Sequence, residues 1–249
     1  MSTLEQAYPR PLSGEPVTEP PSGLIPARAP LRGKTVEMVP QDARVHAADL
    51  YAAGHDSEQA LKTWDYLAYG PWASLQDYQA TMRAQSASFD TIFYAIRPLD
   101  SAQFHGQSSY LDINPAMGVI EIGHIWFGPQ LLRTRAATEA LYLMIRYAMD
   151  DLGYRRMHWR CNSLNEKSRQ AARRLGFRFE GVFYNHMIFK GRNRDTAWYS
   201  ILDDEWPEVR AILEAWLDDD NFDENGVVKT SLFEMMSQRP PSQRGSSHE

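Results

Sequence analysis

The sequence predicts an α/β domain built on one mixed sheet, and three observations carry that expectation. Short apolar runs of strand type alternate with segments of helical period, in the order early helices, several strands, a crossover helix, a strand, a short helix and a closing hairpin. The basic turn Lys190-Gly191-Arg192-Asn193 joins two strand-like runs as an antiparallel pair, which an all-parallel doubly wound sheet would lack. Neither a Gly-x-Gly-x-x-Gly turn nor a Gly-x-x-x-x-Gly-Lys-Ser/Thr loop is present, which argues against the common dinucleotide and nucleoside-triphosphate folds.

Taken in order, residues 1–33 hold seven prolines among polar residues and read as a Pro-rich arm or strap. Residues 34–217 read as the domain, opening with a short strand at Lys34–Val39 and a helix from about 43 to 53. Trp64, Tyr66, Leu67, Tyr69, Pro71 and Trp72 mark a compact irregular segment, either a small satellite core or the wall of a substrate pocket. A helix is expected over Leu75–Ser88, then strands over Phe89–Arg97, Gln107–Ile113 and Gly118–Phe127, the last interrupted by Gly123 at a bulge or close backbone approach. The crossover helix follows, with apolar residues at 137, 141, 144, 148 and 152 and Gly153 placed for a left-handed cap. Strand Arg155–Cys161, a helix from Asn165 to Gly176, strands Phe177–Ile188 and Arg194–Leu202, and a helix over Asp204–Leu217 complete the domain. Residues 218–249 read as an acidic, then polar, tail that frays after about Met236.

The chain of 249 residues is long enough for one core of about 200 residues with loose ends. With 43% hydrophobic and 23% charged residues, no apolar stretch near the roughly 18 residues of a membrane span and no leader-like N-terminus, a cytoplasmic protein with no membrane partner is expected. The single cysteine, Cys161, rules out an intrachain disulfide and a cysteine-cluster metal site; no metal is expected, and the thiol reads as a buried small hydrophobe. Net charge is -6, yet residues 130–200 carry 14 Lys or Arg against 6 Asp or Glu. That local basic surface suits a small polyanion better than a nucleic acid. Two helix N-termini follow short turns, at Leu131–Arg135 and Asn165–Ser168, and their free N–H groups make phosphate binding the first functional idea.

At this point an ordered set of segments resembles the GNAT superfamily of acyl-coenzyme A dependent N-acetyltransferases, in its RimJ/RimL-like branch. The segments are Glu121-Ile122-Gly123-His124-Ile125-Trp126, Ala137-Thr138-Glu139-Ala140, Leu152-Gly153-Tyr154-Arg155-Arg156, Asn165 through Ser168 to Leu175-Gly176-Phe177, Glu180-Gly181, Lys190 to Asp195, and Asp204-Glu205-Trp206. The resemblance spans roughly Leu31 to Pro207. It implies a mixed, mostly antiparallel central sheet flanked by helices, and acetyl-coenzyme A as cosubstrate.

In the family's loop Gln/Arg-x-x-Gly-x-Gly/Ala, backbone N–H groups hold the coenzyme A pyrophosphate; Gln130 matches the first position, whereas Arg133 and Arg135 occupy the glycine positions. The resemblance therefore assigns cofactor contacts to Gln130, Leu131, Leu132, Arg133, Thr134, Arg135, Ala136, Ala137 and Thr138, and to Trp126 and Phe127 at a strand splay. Asn165 and Ser168 match the family's Asn-x-x-Ser/Ala pattern, and Asn165 is equally an N-cap. Arg169 and Arg173 lie one turn apart and either face the phosphates or form a wet helix face.

Transfer to an amine needs a proton acceptor, and Glu121 leads with His124 second. The tyrosine that many relatives place as general acid falls on Ala172, leaving Ser168 or Tyr184 as substitutes. Glu139 is read as capping its own helix electrostatically. The expected acceptor is a small-molecule amine or a protein N-terminus, and the closing hairpin offers a homodimer contact. Two other classes compete: a catalytically weak acyl-coenzyme A binding module, and a structural partner protein using the aromatic 64–72 segment.

Overall fold

The computed structural model describes Ala7, Gly14 and residues 16–240; Pro9 and Pro11 of the expected arm and residues 241–249 of the expected tail lie outside the described residues. The elements run β1 (Leu31–Arg32), β2 (Val36–Pro40), α1 (Ala43–His55), α2 (Glu58–Leu61), α3 (Leu75–Ser86), β3 (Ile92–Pro98), β4 (Gly106–Asn114), β5 (Val119–Phe127), α4 (Arg135–Arg146), β6 (Arg156–Asn162), α5 (Glu166–Arg174), β7 (Arg178–Phe189), β8 (Arg192–Leu202), α6 (Trp206–Leu217) and α7 (Leu232–Ser237). They form one eight-stranded sheet in the order β1-β2-β3-β4-β5-β6-β8-β7. Among the described residues only β5 and β6 pair in parallel, and α4 is the crossover such a pair requires.

Strand alternation divides the buried residues between two faces. Tyr94, Ile96, Tyr110, Ile120 and Ile122 pack with Leu141, Met144 and Ile145 of α4 and with Leu175, Val209 and Leu213. On the opposite face Ala95 and Trp126 meet Leu50 of α1, Tyr78 and Met82 of α3, and Trp64. The aromatic segment is thus largely a satellite core: Trp64 is buried, donates Nε1–H to Gly54 O at 2.8 Å, and packs edge-on against Trp72. Its Tyr69 is turned toward β5, as described below.

Helix α4 ends in a π-type turn, Tyr147–Asp151, in which Leu152 N–H bonds to Tyr147 O, and Gly153 supplies the positive φ of 65° that ends it. The chain on either side of the expected domain is tied down. Tyr94 and Tyr154 donate their hydroxyls to Ala27 O and Leu24 O, and Leu31–Arg32 adds an edge strand to β2. At the other end, ahead of the stretch expected to fray, Leu232 and Met236 are buried, and Arg239 donates to Gly176 O at 2.7 Å and pairs with Glu205 and Glu208. Apolar residues at 232 and 236 lie one turn apart, which is what lets α7 bury a face. At the outer edge, β7 exposes Phe183, Tyr184 and Ile188, the surface on which a homodimer contact is expected.

Candidate active site

The site begins where the parallel pair stops. β5 and β6 are in register only at Val119 with Arg156, Ile120 with Met157 and Glu121 with His158. Beyond that both strands continue, β5 held by β4 and β6 by β8. Their facing edges over 122–127 and 159–162 therefore present backbone groups with no ladder partner between them, which a ligand with amide groups can fill.

A bulge sits at the mouth of this opening. Between the pairs Ser109 with Gly123 and Gln107 with Trp126, β5 has one residue more than β4, and His124 takes φ 52°. Side chains from β4 hold the bulged carbonyls: Ser109 Oγ donates to Gly123 O at 3.1 Å, and Gln107 Nε2 to His124 O at 3.3 Å. Gly123 is closely packed: a Cβ there would lie 2.8 Å from Leu111 Cδ2 and 3.3 Å from Glu121 Oε1, so a larger residue would have to push the end of the Leu111 side chain aside. The positive φ falls instead on histidine, one of the few non-glycine residues that take it readily.

Glu121 is 3% exposed, and burial pushes its carboxyl up to about 7 against the opposing pull of Arg160. Arg160 Nε forms an ion pair with Glu121 Oε2 that lacks the alignment of a hydrogen bond; the same guanidinium pairs with Asp112 and lies 4.8 Å from the Trp198 ring centre. Divided between two carboxylates, Arg160 only partly offsets the desolvation. His124 is lowered to about 4 by burial and by Arg160 and Arg194, so its imidazole is neutral at pH 7. Tyr69 stacks on that ring and its hydroxyl meets Nδ1 at 3.0 Å, which leaves Nε2 as the other functional nitrogen. Tyr69, Gln107 and Gln41 form a buried chain of hydrogen bonds behind it, at 3.2 and 2.8 Å.

The turn into α4 lies at the other end of the opening. Leu131 is buried and anchors it, Arg133 adopts φ 64°, and Thr134 caps the helix by accepting from Ala137 N–H at 3.1 Å. Among the described residues, the backbone N–H groups of Arg133, Arg135 and Ala136 have no protein acceptor. They fit a bound phosphate oxygen, the positive end of the helix adding to the attraction. The left-handed position where the family pattern has glycine is thus retained with arginine in it.

Several expected site residues turn out otherwise. The Arg135 side chain pairs with Asp219 at 2.6 Å, donates to Leu217 O and stacks on Phe222; only its backbone faces the turn. Trp126 and Phe127, expected to offer backbone at the splay, turn their side chains to the cores, Trp126 into the satellite core with Trp64 and Phe127, partly buried, against the main core. Glu139 does not cap its own helix: its carboxylate accepts from the N–H groups of Lys34 and Thr35, both at 2.7 Å, and so fixes the β1–β2 turn. Thr138 is buried and accepts from Arg174 at 3.2 Å.

Asn165 caps α5 by accepting from Ser168 N–H at 3.1 Å, and Ser168 Oγ accepts from Trp159 Nε1–H at 3.0 Å. Arg169 is bonded to Tyr199, Ser163 O and Glu166, whereas Arg173 is exposed. Tyr184 is 78% exposed on β7, and the fully buried Ala172 has no polar side chain to replace it. Sequence reading missed Arg174, half-buried beside the first turn of α4, and Gln107, and it offered Tyr69 as part of a possible pocket wall without the contact to His124 that only the fold makes.

A cavity of about 290 Å³ lined by Met117, Val119, Arg155, Arg156, Leu202 and Asp203 lies at the paired end of β5 and β6, away from the opening, and holds no comparable acid-base group. Among the described residues no helix is long and apolar enough to cross a membrane, and no three His, Cys, Asp or Glu side chains are grouped to hold a metal.

Comparison with known proteins agrees with this architecture. The family profile described as "Acetyltransferase (GNAT) domain" matches residues 38–178. A GCN5-related N-acetyltransferase from Brucella melitensis is 42% identical, with a TM-score of 0.82 over 85% of this chain and 96% of that one. An acetyltransferase of the GNAT family from Chromobacterium violaceum, described as probable, is 39% identical with a TM-score of 0.71 over 80% and 98% of the two chains. The Bacillus subtilis protein named "Putative ribosomal N-acetyltransferase YdaF" is 28% identical over 154 residues, 60% of this chain and 82% of that protein. With the matching profile covering more than half of its length, this chain belongs to the GNAT acetyltransferase family.

Proposed function

We propose that the protein transfers an acetyl group directly from acetyl-coenzyme A to a primary amine, with Glu121 as the proton acceptor. The observation that carries this reading is a buried carboxyl near pKa 7 at the point where two parallel strands part. A group with that pKa is substantially ionised at neutral pH yet basic enough to take an amine proton.

Bound acetyl-coenzyme A would supply the activated acetyl group. The free N–H groups at Arg133, Arg135 and Ala136 would hold its phosphates, assisted by Arg174, and the unpaired edges of β5 and β6 its amide-bearing arm. The amine nitrogen bonds to the acetyl carbon as the carbon–sulfur bond breaks, Glu121 takes the amine proton, and the sulfur leaves as thiolate to be protonated. Neutral His124, steadied by Tyr69, is placed at the bulge to orient the acceptor. No side chain needs to carry the acetyl group.

The RimJ/RimL-like likeness, supported by the weaker match to the Bacillus subtilis protein, keeps a protein N-terminus among the acceptors beside small amines. The test is thiol release with an amine panel across pH 5.5–9. The wild type should show a rise in kcat/KM governed by a group near pH 7. Glu121→Gln should abolish that limb and lower kcat about 100-fold or more while acetyl-coenzyme A still binds by calorimetry. An unchanged profile in the variant would remove Glu121 as base, and donor binding without transfer to any amine would favour a binding module.

A further inference from the structure

The half-buried arginines of this protein have partners. Arg97 pairs with Glu37, Arg156 with Glu180, Arg160 with Asp112 and Glu121, Arg178 and Arg239 with Glu205, while Arg169 bonds to Tyr199 and Arg174 to Thr138. Arg194 of β8 differs. Its guanidinium stacks 4.3 Å from the Phe189 ring centre, its Nε is buried without an acceptor, and among the described residues no carboxylate or carbonyl receives any of its N–H groups. A guanidinium partly withdrawn from water and left unpaired is costly, and an arriving anion relieves the cost.

Its position says which anion. Glu121 stands opposite His158, His158 opposite Ser200 and Arg160 opposite Trp198, so strand alternation puts Glu121, Arg160, Trp198 and Arg194 on one face of the sheet, the face on which Arg160 meets both Glu121 and the Trp198 ring. The phosphates of the donor belong instead at the start of α4. The aromatic segment, whose Tyr69 meets His124, is held by two further hydrogen bonds: Lys190 Nζ at the hairpin turn donates to Trp64 O at 2.7 Å, and Tyr66 donates to Leu164 O at 3.3 Å. They tie the aromatic segment to the β7–β8 turn and to the loop before α5, an arrangement suited to a small molecule rather than a polypeptide.

We propose that the acceptor is a small amine that also bears a carboxylate, its amine facing Glu121 and its carboxylate paired with Arg194. This rests on the amine-acetylation reading and narrows its substrate class. The bonds made and broken are those given above; Arg194 exchanges no proton and sets specificity only.

The experiment pairs free amino acids with their carboxamides in the presence of acetyl-coenzyme A, following thiol release, and in the presence of coenzyme A, following binding by calorimetry. The wild type should favour the carboxylate over the matched amide by roughly tenfold or more in kcat/KM and in Kd. Arg194→Gln should bring that ratio toward one, chiefly through KM, and Arg194→Lys should keep part of it. Equal use of acid and amide by the wild type would overturn the proposal without recourse to a variant. So would an Arg194→Gln protein that weakens acetyl-coenzyme A binding while leaving the ratio intact, which would assign the arginine to the donor. Absence of thiol release would count against amine acetylation alone, because the binding ratio still reports on Arg194.

Discussion

At the scale of single residues, Arg133 shows how far a motif can depart from its pattern and keep its shape. A left-handed φ costs an L-residue roughly 1–2 kcal/mol, and the Arg133 side chain makes no hydrogen bond or ion pair with another described residue to offset it. Glycine removes that strain but loses roughly 0.5–1 kcal/mol through greater freedom of the unfolded chain. The strain is the larger effect, so Arg133→Gly should stabilise the protein by up to about 1 kcal/mol, read as a higher urea midpoint. A lower midpoint would mean that the guanidinium makes a contact worth more than the strain. What the sequence showed at this scale was residue type rather than direction. Glu121, Gly123 and Thr134 could be placed because strand and helix periods fix their neighbours. The turning of Arg135 to Asp219, and of Glu139 to the β1–β2 turn, depends on segments 84 and 104 residues or more away, which no local pattern reveals.

At the scale of elements, the opening and the turn into α4 are set by backbone accounting. The parallel register ends after Glu121 because the bulge at His124 bends β5 away, and Gly123 announced that irregularity in the sequence. Most strand and helix cores between 34 and 217 were legible from periodicity, whereas the short β1, α2 and α7 were not, and ends drifted where an apolar residue stands in a loop: Phe89, expected to open β3, is 97% exposed. The cap on α4 was less apparent than the charges around it, yet it carries the geometry. Thr134→Ala leaves the Ala137 N–H without its acceptor and should cost about 1 kcal/mol. Thr134→Ser should recover most of it. Because the same turn aims the free N–H groups of Arg135 and Ala136, the alanine variant should also bind acetyl-coenzyme A less tightly in calorimetry, with the serine variant near wild type. Loss of stability without loss of donor affinity would separate the cap from the phosphate site.

At the scale of the whole molecule, burying this many ring systems in two cores makes stability depend on pH in a way that can be signed. His46, His55, His105, His124 and His158 are all lowered by burial, the last with help from Arg156, and His124 and His158 each reach about 4. A depressed histidine contributes stability that is present above its unfolded value near 6.5 and lost as pH falls toward the folded value. Glu121 acts oppositely: its carboxyl rises from 4.5 to about 7, so its contribution is present below 4.5 and lost as pH climbs through 7. Between pH 7 and 5 the histidines outnumber it, and the melting temperature should fall by roughly 5–10 °C. The two signs can be told apart in one series of melts. Glu121→Gln removes the term that favours acid, so its melting temperature should fall more steeply than wild type over the same interval, while His158→Gln should fall less steeply. Parallel curves for wild type and Glu121→Gln would mean that the carboxyl titrates alike in the folded and unfolded chain. In that case the buried base on which amine acetylation rests would lose its physical basis as well.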